Sequence, residues 1–206
     1  LHVHVGVKSG SSALAISRAA VKFLPHLLAL SGNSPFWQGF DTGMNSSRMN
    51  VMNSFPLSGL PPHFESWEDF EHYFENLKRV GIIGSMKDFY WPIRPNLDYG
   101  TVEFRICDGL TSLEETMAIA ALSHCLVAFL DDQLAERAED WILRKEDEAI
   151  AKDNEWIASR DGLEGVIITD RTGKKEKIET QILGLIEKLL PYAKSLNCAE
   201  ELLSLE

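Results

Sequence analysis

Gly100-Thr101-Val102-Glu103-Phe104-Arg105-Ile106-Cys107-Asp108 alternates without a break: Val102, Phe104 and Ile106 fall on one side, and Thr101, Glu103, Arg105 and Cys107 on the other. Successive side chains of a strand point to opposite faces, so the period of two predicts a half-buried strand over 101–107 with two opposite charges on its polar face. An acid and a guanidinium on one sheet face need partners, because no apolar core accepts either of them unpaired. A bare Glu-x-Arg is by itself best explained as an ion pair.

The opening residues, Leu1-His2-Val3-His4-Val5-Gly6, repeat the pattern and predict a second strand over 1–7. Both histidines then share one face, roughly 7 Å apart by strand rise. Imidazoles so spaced can serve one metal, or a metal and its bound phosphate, although two satisfied or exposed histidines explain His-x-His equally well. A further basic residue, Arg94 in Ile93-Arg94-Pro95, lies a few residues before the charged strand. Carboxylate, imidazole and several guanidiniums are the groups that magnesium-assisted phosphoryl transfer uses: oxygens hold the hard cation and arginines spread the charge in transit.

Between and beyond these strands the pattern is helical. Ser11 or Ser12 is positioned to cap an amphipathic helix carrying Ala13, Ile16, Ala20, Leu24 and Leu27, which Pro25 kinks or breaks. Residues 31–63 concentrate Gly, Pro, Asn and Ser and predict a long irregular segment. Its Phe36, Trp37, Phe40, Met44 and Phe55 argue for a packed loop, with Phe36 and Trp37 as core anchors rather than a stacking platform. Ser66-x-x-Asp69 opens a helix with Phe70, Tyr73, Phe74 and Leu77 on one face. Thr111-x-x-Glu114 opens a long apolar helix over 113–130 with a more charged continuation towards Arg160. Residues 82–93 carry no clear pattern; a short strand over 166–169 and helices near 177–190 and 193–205 complete the reading.

The chain has 206 residues, of which 45% are apolar, enough for one substantial core. Twenty basic residues against 31 acidic ones leave a formal charge of −11, which disfavours duplex DNA or an anionic membrane as partner while leaving room for a small anion held by a few arginines. Cys107, Cys125 and Cys198 are too few and too dispersed for a disulfide framework, which suggests a reducing cytoplasm. No apolar run is read as approaching the roughly 18 residues that span a bilayer. The strand pattern starts at Leu1 with no run-in, which reads as a fragment whose upstream part is missing. His26, His63, His72 and His124 lack ligand spacing, Cys107 reads as a buried thiol, and the mixed charges from Asp131 to Glu155 read as a solvated helix face.

Several ordered motifs carry a family resemblance. His2-Val3-His4-Val5-Gly6, Ser34-Pro35-Phe36-Trp37-Gln38-Gly39 with Asp41-Thr42-Gly43 and Ser47-Arg48, Ile93-Arg94-Pro95, and the stretch from Gly100 to Asp108 together resemble the bacterial type 2 glutamate–cysteine ligase or carboxylate–amine ligase family. That family is itself similar to glutamine synthetase in its catalytic sheet. Asp153-Asn154-Glu155-Trp156 through Ser159-Arg160-Asp161-Gly162-Leu163 resembles its later helix motif, so the likeness extends over most of the chain.

The resemblance implies an α+β fold in which helices pack on a curved, mainly antiparallel sheet. Residues 1–206 would be the C-terminal part of one catalytic domain, with site elements in 1–110 and a mainly helical 111–206. It implies ATP and magnesium as cofactors, His2 and Glu103 as metal ligands, and His4 near the nucleotide phosphates. Arg105, Arg94 and Arg48 would contact phosphates, the carboxylate substrate or an acyl phosphate. Arg160 is a weaker nucleotide-binding candidate, balanced by a structural helix role. The implied reaction joins a carboxylate, glutamate, to an amine, cysteine, through an acyl phosphate, in the cytoplasm and compatibly with a homodimer. The family draws further acidic metal ligands from strands of its N-terminal half, upstream of Leu1. Two alternatives stay open: a catalytically silent nucleotide-binding relative, and a metal-dependent hydrolase, which would need further His or Asp ligands at strand ends.

Overall fold

The computed structural model describes residues 1–141 and 145–206. Its elements, in chain order, are β1 (Val3–Gly6), α1 (Gly10–Ala20), α2 (Leu24–Ser31), β2 (Phe36–Trp37), β3 (Phe40–Asp41), α3 (Arg48–Met52), α4 (Trp67–Arg79), β4 (Ile93–Asn96), β5 (Thr101–Phe104), α5 (Leu113–Trp141), α6 (Lys145–Asp161), β6 (Val166–Ile168), β7 (Lys175–Lys177), α7 (Ile178–Ser195) and α8 (Ala199–Leu203). The fold is α+β, with short antiparallel sheets and packed helices. The expected helical continuation from α5 towards Arg160 crosses 142–144, which lie outside the described residues.

The sheet that positions the site has three strands in the order β1-β5-β4, both pairs antiparallel. His4 stands opposite Glu103 on one side of β5, and Arg94 opposite Glu103 on the other. Residues directly opposite in a ladder share a face with Cβ atoms about 5 Å apart, so the register sets an imidazole, a carboxylate and a guanidinium in one row. The other face is apolar: Val5, Val102, Phe104 and Ile93 join one core with Ile16 and Ala20 of α1 and Ile119, Leu122 and Leu126 of α5. A second aromatic core, built on Phe70, Phe74, Phe89 and Trp91, fixes α4 and the segment leading into β4. Truncating a fully buried Phe there costs about 3–5 kcal/mol, so this cluster holds β4 in place.

Several expectations are corrected. The first helix is capped by Ser9, not Ser11 or Ser12: Ser9 is extended and its hydroxyl accepts from the Ser12 N–H. Of the two outcomes expected at Pro25 the structure takes the break: Pro25 sits in the first turn of α2, after a 3-10 turn over Val21–Phe23. The second capping box is Ser112 with Glu115, one residue later than Thr111 with Glu114. Strand β5 ends at Phe104, short of the expected 107: beyond it the carbonyls of Arg105, Ile106 and Cys107 accept from Arg48, and the flanking contacts thin to the Arg105 N–H on the Pro92 carbonyl and the Leu1 amine on the Cys107 carbonyl.

Phe36, Trp37 and Phe40 are not core anchors. They lie on the β2–β3 hairpin, 63%, 47% and 77% exposed. Its two-residue turn places both Gln38 and Gly39 at positive φ, the backbone that a tight hairpin of this twist requires. Two helical stretches, Gly10–Ser31 and Leu113–Ala138, reach the length and apolarity of a membrane span, contrary to the sequence reading; the first is 72% buried within the fold and the second 50%. The charged strand β7 escaped detection because Lys175-Glu176-Lys177 has no apolar alternation.

Candidate functional site

Glu103 is 2% exposed and is the hub of the polar face. Its Oε2 accepts from Arg94 Nε at 2.9 Å and from Asn96 Nδ2 at 3.0 Å. Its Oε1 accepts from Arg105 Nη1 at 2.7 Å and lies 3.2 Å from His2 Nδ1 and 3.7 Å from His4 Nε2. Burial pushes this carboxyl up, but the bonds from Arg94, Asn96 and Arg105 outweigh it and hold the pKa at about 2. Glu103 is therefore ionised throughout the neutral range. Burial, followed by the charge of Arg105, pushes the His2 imidazole below its ordinary value, so it is neutral at pH 7.

The two arginines at this carboxylate differ. Arg94 is 3% exposed and held at three acceptors: besides Glu103 it donates through Nη1 to the carbonyls of Met86 and Phe89. It anchors the hub to the turn before β4. Arg105 pairs with Glu103 alone among the described acids and keeps a partly accessible side chain. It is the cation of the cluster that can meet an incoming anion. His4 donates to or accepts from Thr101 Oγ1 at 3.0 Å and packs edge-on against Tyr99, leaving its Nε2 towards the hub.

Arg48 does not join this cluster. Its Nε donates to Asp108 Oδ1 at 2.7 Å and its Nη2 to the carbonyls of residues 105, 106 and 107. Asp108 also accepts from the Asn33 N–H and the Ser34 hydroxyl. Its burial would raise the carboxyl, and these bonds bring it below its ordinary value instead. The Arg48–Asp108 pair thus braces the chain leaving β5, immediately after Arg105. Arg160 also stands apart: its side chain is half exposed and bonds its neighbour Asp161.

The later helix motif forms a bracket. Ser159 Oγ donates to the Ser46 carbonyl and accepts from Asn50, the Arg160 carbonyl accepts from Asn45, and Asn53 donates to Glu155 at 3.0 Å. These bonds tie the loop before α3, and with it Arg48, to α6. Of the residues with structural weight here, Asn96 and Asp108 were given no role by sequence reasoning. Asn96 alternates with Arg94 on β4, a pattern hidden by Pro95 and by the strand's full burial. Cys107 is a buried thiol, pushed up to about 11 by burial.

A magnesium ion prefers several oxygen ligands in near-octahedral geometry. The cluster supplies one carboxylate, already bonded to two guanidiniums, and two imidazoles. Among the described residues no group of three His, Cys, Asp or Glu is arranged to hold a metal ion. These residues therefore do not compose a magnesium site by themselves. Counted as charges, one carboxylate between Arg94 and Arg105 leaves the cluster net positive, which suits a phosphate or carboxylate anion. A cleft of about 860 Å³ opens elsewhere, between α2, the β6–β7 hairpin and α7, and shares none of the cluster's residues.

The model of the glutamate–cysteine ligase family 2 matches residues 1–206. The chain is 42% identical over 202 residues to a Frankia alni protein and 43% identical over 202 to one from Frankia casuarinae, both described provisionally as glutamate–cysteine ligase 2-1. It is 40% identical over 207 residues to a Mycobacterium tuberculosis protein described provisionally as glutamate–cysteine ligase 2. Each match covers 98% of this chain but only 52 to 53% of the relative, so the chain spans about half the length of the curated relatives it matches.

Proposed function

This chain belongs to the glutamate–cysteine ligase family 2, and from that premise we propose that the whole protein is an ATP-dependent carboxylate–amine ligase in which this segment supplies the cationic wall of the phosphoryl-transfer site. The observation that carries the reading is the Glu103 hub: an ionised, over-determined carboxylate that orients Arg105 beside two imidazoles on one sheet face.

In an acyl-phosphate mechanism the substrate carboxylate attacks the terminal phosphorus of the nucleotide, ADP leaves, and the amine displaces phosphate from the acyl carbon to form the amide. Charge builds on the phosphoryl oxygens as the group moves, and a guanidinium held in place stabilises it without reorganising. Arg105 is assigned that role, because Glu103 fixes one end of its fork and its side chain remains partly accessible. His2 and His4 are assigned to the adjoining phosphate-binding edge. Arg94 holds Glu103, and Arg48 holds the backbone of 105–107; both act on the site by positioning. The cofactors in this reading are ATP and magnesium. His2 and Glu103 would be a partial ligand set only, and the roles of the chain's own side chains stand without the ion. The preferred substrates are glutamate and cysteine, and the preferred setting is the cytoplasm, consistent with three free thiols.

Phosphate release from ATP by the full-length protein, assayed with glutamate and cysteine and then with other amino-acid pairs, tests the reading. Release that depends on both amino acids is expected, together with a γ-glutamyl amide product by mass spectrometry. A folded protein that binds nucleotide yet turns over no pair would replace the ligase with a silent nucleotide-binding relative.

A further inference from the structure

Glu103 has two oxygens with different tasks, and Asn96 is the residue that keeps them apart. Asn96 is 9% exposed at the end of β4 and bonds in two directions. Its Oδ1 accepts from the backbone N–H groups of Asp98 and Tyr99 at 3.1 and 3.3 Å, which fixes its side-chain amide against the β4–β5 turn. Because Oδ1 is committed there, Nδ2 is committed to Glu103, and it donates to Oε2 at 3.0 Å. With Arg94 Nε on the same atom at 2.9 Å, Oε2 holds two charge-assisted or amide donors from β4. Oε1 is left to Arg105 and the two histidines.

We propose that Asn96 is a positioning residue that sets the rotation of the Glu103 carboxylate and, through it, the direction of the Arg105 guanidinium. Arg94 alone leaves that plane underdetermined: one Nε–H on one oxygen permits the carboxylate to swing about its own axis and share Oε1 and Oε2 between the two arginines. A second donor on Oε2, anchored to the backbone of a tight turn, removes that freedom. The same turn carries Tyr99 against the ring of His4, so one short segment orders both the cation and an imidazole of the site. The inference rests on the assignment of Arg105 to the transferred phosphoryl group.

The test compares four variants of the full-length protein in the phosphate-release assay. Asn96→Ser removes the donor to Glu103 while leaving a hydroxyl that can accept from the Asp98 N–H. Gly100→Ala strains the same turn, since Gly100 has φ +64°, but leaves the amide on Glu103 in place. Arg105→Lys and the Asn96→Ser/Arg105→Lys double variant complete the set. Asn96→Ser is expected to lower kcat about tenfold with the glutamate KM within about twofold, the pattern of a lost orientation rather than lost binding. In the double variant the Asn96 change should add little, because two residues acting through one guanidinium are not additive.

Normal turnover in Arg105→Lys would overturn the reading of the site itself. A defect in Arg105→Lys with normal turnover in Asn96→Ser would overturn the positioning role alone. Additive losses in the double variant, or a kcat loss in Gly100→Ala equal to that of Asn96→Ser at the same unfolding midpoint, would reduce Asn96 to a structural turn residue. If Asn96→Ser fails to fold, Asn96→Thr carries the same comparison: its hydroxyl can accept from the turn N–H groups, and the amide donor to Glu103 is gone.

Discussion

Glu103 on β5 and Glu155 on α6 are the same residue type at similar depth, 2% and 8% exposed, and their surroundings drive them in opposite directions. Burial raises both. Around Glu155 the compensation is one amide, Asn53, with the more distant charge of Lys152, and the carboxyl ends above its ordinary value. Around Glu103 two guanidiniums and an amide reverse the effect and leave it at about 2. Depth alone is therefore uninformative about a buried acid; the number and charge of its donors decide which protonation state is stored. The α6 motif spends its polar groups tying a loop to a helix, whereas the β5 hub holds a permanent negative charge that organises cations beside an accessible edge.

The largest way to break this contrast is to remove the anchor of the hub. Arg94→Leu leaves Glu103 buried beside fewer donors and strands the Met86 and Phe89 carbonyls; a loss of about 3–5 kcal/mol is expected, read as the urea midpoint at pH 7. A stability within about 1 kcal/mol of the parent would mean that the hub is adjustable rather than fixed.

Acid should act next. The folded pKa of Glu103 is depressed, so its contribution to stability is present above the unfolded value of 4.5 and is lost as pH falls from there towards about 2. Glu155 has the opposite sign: the folded state disfavours its ionised form, so its contribution declines as pH rises above 4.5. A Glu103→Gln variant should accordingly show a flatter acid limb in its stability profile than the parent between the ordinary value of 4.5 and about 2, measured by thermal unfolding. An unchanged acid limb would show that the three donors do not favour the carboxylate.

Glu155→Gln should do the reverse on a smaller scale. It keeps an acceptor for Asn53 and removes a buried charge, so the unfolding midpoint at pH 7 should rise by an amount worth about 1 kcal/mol, with the gain fading below pH 4.5. A fall at pH 7 would mean that Glu155 is stabilised as the anion. The smallest effect belongs to the hairpin: Trp37→Ser, at a site 47% exposed, should move stability by less than about 0.5 kcal/mol. A loss several times larger would make the aromatic tip a structural anchor after all.

Period-two alternation made β1 and β5 legible, and it correctly set His2 with His4 and Glu103 with Arg105. It could not bring the two strands together, because register is a property of pairing; His4 opposite Glu103 emerges only with the ladder. Arg94 was legible as a nearby cation but not as a buried anchor, since its carbonyl partners Met86 and Phe89 lie in the segment that carries no pattern. Asn96 was invisible because Pro95 and the full burial of β4 hide its alternation with Arg94. The place of Arg48 was not legible, because an arginine following a motif serine looks alike whether it faces a ligand or three backbone carbonyls. Aromatic content in 31–63 predicted packing, yet a two-residue turn needs only backbone geometry and leaves Phe36, Trp37 and Phe40 outside.

On the proposed reading Glu103 serves the reaction and Glu155 serves the fold, and initial rates separate the two. Glu103→Gln and Glu155→Gln in the full-length protein, compared by initial rates of phosphate release from ATP with glutamate and cysteine, should differ sharply: about a hundredfold loss for Glu103→Gln, which releases Arg105, and a rate within about twofold of the parent for Glu155→Gln. Equal losses, or a Glu103→Gln rate at the parental level, would remove Glu103 from the reaction.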